Sequence, residues 1–248
     1  MPEFTESSSF SLHDLKPVED FVEAKEAGYN ARPVLVGPIT LLWLGKVGKN
    51  AKDPNFNVFS LLPKLAEQYA ALLKKLADAG ATWVQIEEPI LVLDKAAELA
   101  NEFQTTYEQL HQAAPSLHLL VTTYFGRLEE NVEIVKKLPI AGVHIDLDRA
   151  PDQLEPVLAA LKGTQIGLSL GLVSGRNIWK TDLAAALKLA EKAVAELGAE
   201  RIQVATSSSL LHTPITTANE HKLKPEVLDW FSFCLLYTSP SPRDKRQS

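Results

Sequence analysis

The sequence predicts an α/β fold, an incomplete (β/α)8 TIM-type barrel with about six parallel strands and its helices outside. Three observations carry this. Short, near-continuously apolar runs recur along the chain, as strands covered on both faces require. Amphipathic helical patterns separate them. The strand-plus-helix period is about 25 to 50 residues throughout, the spacing of βαβ units and hence of a parallel sheet.

The strand candidates are residues 33–37 (PVLVG), 83–89 (WVQIEEP), 117–125 (LHLLVTTYF), 142–147 (GVHIDL), 165–172 (QIGLSLGL) and 201–207 (RIQVATS). Between the first two, Leu62, Leu65, Tyr69, Leu72 and Leu76 fall at helical spacing, and Gly80 supplies a stop. Leu183, Leu187, Ala190, Val194 and Leu197 repeat the pattern, with Thr181 as the expected N-cap and Gly198 as terminator. Pro151 sits where a helix begins, since its missing N–H costs little in a first turn. A last helical pattern runs from about Lys224 through Trp230 and Phe233. A closed barrel needs eight such units, and the segment before Asp14 is too short for two more. The alternatives are an open doubly wound sheet or a barrel without its first units. No GxGxxG follows the first strand, which weakens a dinucleotide-binding open sheet.

At 248 residues and 46% hydrophobic content the chain can bury a sizeable core, and its 12 Gly and 15 Pro fit neither fibrous nor disordered classes. The formal charge of -6 and the lack of a basic face argue against nucleic acid as a partner. Cys234 is the single cysteine, which excludes an intrachain disulfide and any multi-cysteine zinc site. No apolar run approaches the roughly 18 residues of a membrane span, so no membrane partner is expected. The amino terminus, MPEFTESSSF, has neither a basic nor an apolar signal region, and a cytoplasmic setting is expected. We divide the chain into a partial barrel over 1–234 and a tail over 235–248, LLYTSPSPRDKRQS. The tail resembles translated adapter sequence, the alternative being a natural disordered end.

Ligands of parallel β/α folds meet the carboxyl ends of the strands, so polar residues there are the candidates for binding. Glu87 and Glu88 end the second strand, and alternation lets only one face the barrel mouth. That carboxylate either grips an ammonium group or water, or is salt-bridged at a strand terminus. His144 and Asp146, two apart on one strand face, read as a metal or acid/base pair or as a satisfied inner-barrel pair. Arg176, in the loop SGRNIWKTD, either clamps a carboxylate or phosphate or caps the rim by pairing with a neighbouring carboxylate. The hydroxyls of TTYF (122–125) and ATSSSLLH (205–212) can orient a ligand but suit zinc poorly, and no Ser/His/Asp order surrounds them.

Taken together, VLVGPITLLWLGKV, WVQIEEPILVLD, LLVTTYF, HIDLDR, SLGLVSGRNIWKTDL and VATSSSLLHTPI resemble the amino-terminal barrel of the cobalamin-independent methionine synthase family, 5-methyltetrahydropteroyltriglutamate–homocysteine methyltransferases. The likeness runs from about Pro2 to Phe233. It implies a parent with two barrels in tandem, of which the carboxyl-terminal one holds zinc through His, two Cys and Glu. That zinc activates the homocysteine thiolate that takes the methyl group of the folate. The resemblance implies that this copy lost the chemistry: Thr122, Thr123 and Tyr124 stand where the catalytic copy has His and Cys, and Ser208 stands where it has its second Cys. It also places the basic folate contacts upstream of Met1. The expectation is therefore a fragment without catalytic residues, metal ligands or bound cofactor. Its partner is the catalytic barrel of the same parent, and folate, homocysteine and zinc belong to that parent. Two other readings are a stand-alone binding or scaffold barrel, and an unrelated barrel enzyme using His144, Asp146 and the Glu87/Glu88 pair.

Overall fold

The computed structural model describes residues 1–233 apart from Asp14 and Pro54, so Cys234 and the tail assigned to 235–248 lie outside the described residues. The elements run β1 (Glu3–Phe4), α1 (Lys16–Glu26), β2 (Val34–Val36), α2 (Pro38–Leu44), β3 (Lys46–Val47), α3 (Leu62–Asp78), β4 (Trp83–Glu87), α4 (Lys95–Glu98) and α5 (Ala100–Ala113). They continue with β5 (His118–Thr122), α6 (Val132–Val135), β6 (Gly142–Asp146), α7 (Leu154–Leu161), β7 (Gly167–Val173), α8 (Leu183–Leu197), β8 (Ile202–Thr206) and α9 (Pro225–Leu228). Six strands form one sheet in the order β2-β4-β5-β6-β7-β8, all parallel, and the described sheet does not close. The small parallel pair β1–β3 was not expected from the sequence.

Each strand turns one face to the helices and the other to the lumen. Val84, Ile86, Leu119, Val121, Val143, Ile145, Leu168 and Leu170 point outward and are buried under Leu73, Leu76, Phe103, Tyr107, Leu110, Val135 and Leu161 of the helices. Each such side chain contributes roughly 1.5 to 3 kcal/mol relative to exposure. This double coverage explains why the strands read as apolar runs rather than alternations.

The helix ends differ from the sequence reading in two places. Asp182, not Thr181, caps α8: its carboxylate accepts from Ala185 N at 3.0 Å, and the chain leaves the helix through Gly198 at φ 88. The final helix spans only Pro225–Leu228, because Trp230 and Phe231 leave it, Phe231 to bridge Trp179 and the backbone of Trp230 to receive Lys180 N. The predicted apolar stripe of α8 also divides. Leu197 is buried, whereas Leu183 and Leu187 are 73% and 57% exposed, on the flank where no further helix packs among the described residues. At the two sheet edges Val36 of β2 and Val204 of β8 are likewise exposed.

Candidate functional site

Strand register brings one polar layer together inside the sheet. Val36 lies opposite Glu87, Glu87 opposite Thr122, Thr122 opposite His144, His144 opposite Ser169, and Ser169 opposite Gln203. Five of these six are polar, where a β/α barrel ordinarily stacks bulky branched side chains. Arg32, just before β2, reaches the same layer: its Nη1 donates to Gln203 Oε1 at 3.0 Å and so links the two edge strands. Burial alone pulls the guanidinium below its usual pKa. Arg32, Glu87, Thr122, Tyr124, His144 and Ser169 all line a cavity of about 340 Å³.

The two adjacent glutamates separate as strand alternation demands. Glu87 faces the cavity, where it accepts from the Tyr124 hydroxyl at 3.2 Å and the Gln85 amide at 3.3 Å. Burial first, and the Glu87 carboxylate second, push the Tyr124 hydroxyl above its usual pKa. Glu88 points the other way and is fully buried. Its carboxylate accepts from Ile39 N at 3.2 Å and Thr40 N at 2.8 Å, the free amides in the first turn of α2. Gly37 makes this possible, because a Cβ there would lie 2.1 Å from Glu88 Cδ. Desolvation raises Glu88 from 4.5 to about 7, against the opposing pull of its hydrogen bonds to Thr40, Ile39 and Tyr107. Glu88 is thus a cap supplied by one strand to a helix on another unit.

His144 and Asp146 share a strand face, but no hydrogen bond among the described residues joins them. His144 Nδ1 is 2.9 Å from Ser169 Oγ, and Nε2 is 3.4 Å from the Ser207 carbonyl. A carbonyl only accepts, so Nε2 carries the proton and Nδ1 accepts from the serine hydroxyl. Burial leads the other causes in lowering His144 from 6.5 to about 4, which keeps the imidazole neutral. Asp146 is spent on backbone amides: Oδ1 accepts from Asp148 N at 3.1 Å and Arg149 N at 2.8 Å, and Oδ2 from Phe125 N at 3.0 Å. The last bond holds Phe125 at φ 71, a left-handed conformation unfavourable for a bulky residue.

Arg176 corrects the rim-pairing expectation. Its guanidinium lies 4.7 Å from the Phe125 ring centroid and joins no ion pair among the described residues, because the aromatic face supplies its partner. The hydroxyls sort into framework and cavity. Thr123 Oγ1 donates to the His144 carbonyl at 2.8 Å, and Ser207 Oγ accepts from Gly175 N at 3.1 Å. Thr122 Oγ1 is buried with no partner among the described residues. Arg32 and Gln203 were missed in the sequence. The only signal was an arginine at the entrance of the first strand, and its layer depends on a pairing 171 residues away. Among the described residues no group of three or more His, Cys, Asp or Glu is placed to hold a metal ion, and no helix is long and apolar enough to cross a membrane.

The family described as "Cobalamin-independent synthase, N-terminal domain" matches residues 1–198. The probable 5-methyltetrahydropteroyltriglutamate–homocysteine methyltransferase of Schizosaccharomyces pombe is 47% identical over 234 residues, 94% of this chain and 30% of that protein. The Nitrobacter winogradskyi methyltransferase of the same name is 48% identical over 233 residues, again 94% of this chain and 30% of its own length. The chain therefore spans about 30% of the length of the curated relatives it matches. Among solved structures, a B12-independent methionine synthase from Shewanella in complex with selenomethionine overlaps 82% of this chain and 61% of its own, with TM-score 0.63 and 16% identity. A putative vitamin-B12-independent methionine synthase from Listeria monocytogenes overlaps 85% and 67%, with TM-score 0.59 and 19% identity. These two likenesses speak for the fold alone.

Proposed function

Because this chain belongs to the cobalamin-independent synthase family, through that family's N-terminal domain, we propose that it serves as the non-catalytic amino-terminal barrel of a methionine-forming methyltransferase. The parent moves a methyl group from 5-methyltetrahydropteroyltriglutamate to homocysteine in the cytoplasm. A carboxyl-terminal barrel of the same parent is the partner, and it holds the zinc and the reacting substrates. Family membership removes the reading of an unrelated barrel enzyme.

The observation that carries the proposal is the donor set at the strand ends. Activating a thiol on zinc takes about four ligands, mostly soft thiolate or imidazole. Here the lumen offers threonine and serine hydroxyls around one imidazole whose two nitrogens are already engaged. Asp146 is committed to three backbone amides. These residues do not fit a catalytic zinc, and no step is assigned to one.

Two measurements test this. Metal content after dialysis, with a methyl-transfer assay on the chain alone, is expected to show neither stoichiometric zinc nor product. Zinc with turnover would overturn the non-catalytic assignment. Sequencing the source locus beyond codon 234 is expected to reveal a second barrel with Cys and His ligands. A locus without one would replace the proposal with a stand-alone binding barrel.

A further inference from the structure

Helix α8 carries two apolar stripes, and only one of them is used. Ala193 and Leu197 are buried in the core, and the ion pairs Lys162–Glu196 and Lys192–Glu155 tie the helix to α7 and its carboxyl end. Leu183, Leu187 and Val194 form the other stripe, exposed to solvent, with the half-buried Ala190 among them. These four positions are spaced four, three and four residues apart. That rhythm is the seam of a helix packed against a second helix at a shallow angle. From Leu183 to Val194 the seam runs about 17 Å, at 1.5 Å per residue.

Charge selects what can cover it. A lipid surface asks for a basic polar face, whereas Lys188 and Lys192 of α8 are balanced by Glu191 and Glu196. The sheet edges are the other open apolar surface, but the Arg32–Gln203 hydrogen bond turns β2 and β8 toward each other. Beside the seam, Lys188 and Glu191 lie one turn apart on the same flank, both exposed. Neither joins an ion pair among the described residues. A flank bearing one charge of each sign near the middle of the seam is complementary to itself when the second helix runs antiparallel. In a parallel pair the two charged flanks fall on opposite sides and cannot meet.

We propose that α8 docks on α8 of a second copy of this chain, antiparallel about a two-fold axis that passes between Lys188 and Leu189. Leu183 then packs against the partner's Val194, and Leu187 against the partner's Ala190, whose small side chain leaves room for it. Lys188 of each copy lies beside the partner's Glu191, as an isologous interface requires. The inference concerns this chain's own surface and does not rest on the parent-enzyme reading.

Sedimentation velocity of the chain from about 1 to about 100 µM tests the idea. A single helix-on-helix contact is at the small end of interface areas, so a dimer dissociating on the order of 10 µM is expected. Leu187→Glu should weaken it at least about tenfold, because the new carboxylates meet near the axis. Leu187 is exposed, so far-UV spectrum and melting temperature should stay those of the wild type. Lys188→Glu should weaken the dimer by about threefold to tenfold, and adding Glu191→Lys to it should restore the wild-type affinity. A chain that stays monomeric to about 100 µM overturns the proposal. So does an open series of growing species, the mark of β2 of one copy pairing with β8 of the next. A dimer that ignores Leu187→Glu, or a double charge reversal no tighter than the single one, overturns it as well.

Discussion

Replacing Glu88 by glutamine turns the buried cap into a measurable dependence of stability on pH. In the folded chain the Glu88 carboxyl titrates near 7, against 4.5 when exposed, with burial as the leading cause. Between those values the folded state keeps a proton that the unfolded state releases. Stability therefore falls as pH rises. The sign follows from a raised acid pKa: the contribution is fully present below about 4.5 and is lost as pH climbs through about 7. At 1.36 kcal/mol per unit, a shift of this size is worth about 3 kcal/mol. Glu88→Gln cannot titrate. It also turns an amide donor toward Ile39 N or Thr40 N, a pH-independent cost of roughly 1 to 3 kcal/mol. Urea denaturation of both proteins between pH 4.5 and 7 reads the difference. The stability advantage of the wild type over the variant should shrink by about 3 kcal/mol across that window, roughly 6 to 12 °C in melting temperature for a domain of this size. Parallel pH curves for the two proteins would refute the assignment of Glu88 as a buried, titrating cap.

His144 should behave in the opposite sense. Its pKa is lowered to about 4 from 6.5, so its stabilising effect is present above about 6.5 and lost as pH falls toward 4. His144→Gln should remove that slope, and the wild type should gain about 3 kcal/mol over the variant from pH 4 to 6.5 in the same assay. With both groups present the slopes oppose each other where they overlap, so each is visible only against its own variant. Asp146→Asn cannot accept at all three of its backbone partners and should cost about 1 to 3 kcal/mol. It should also speed chymotrypsin cleavage after Phe125, whose left-handed backbone loses its anchor. An unchanged cleavage rate would mean that Phe125 is held by something other than Asp146.

The fold was legible in the sequence because doubly covered strands cannot disguise themselves. Residues 83–87, 118–122 and 142–146 are apolar on the helix side, and Trp83, Leu120 and Gly142 interrupt the polar residues of their other face, so each run stood out against the amphipathic helices. Alternation also foretold that Glu87 and Glu88 would part, though not that Glu88 would cap a helix of the preceding unit. That contact spans 48 residues between Glu88 and Thr40, and no local pattern encodes it. The partners of His144 were hidden for the same reason, since Ser169 and Ser207 claim the imidazole from 25 and 63 residues away, whereas the local turn after β6 claims the Asp146 carboxylate. Thr181 lost its expected capping role to its neighbour because α8 begins at Leu183, the first apolar residue of the pattern, which makes Asp182 the residue that caps it.

Every strand of the six-stranded sheet pairs with the strand next to it along the chain, apart from the short β3 that lies outside the sheet. An array of that kind behaves energetically like a stack of repeats, each unit stabilised by its own packing and by two neighbours, with end units stabilised by one. A closed ring has no end units, and losing any strand there breaks two interfaces at once. Among the described residues the Arg32–Gln203 hydrogen bond is a single thread across the ends, too weak at about 1 kcal/mol to restore that all-or-none character. Unfolding then has a direction. It begins as fraying at β2 and β8 and reaches β5 and β6 last, so the polar layer of the lumen loses its Arg32 and Gln203 ends before its His144 centre gives way.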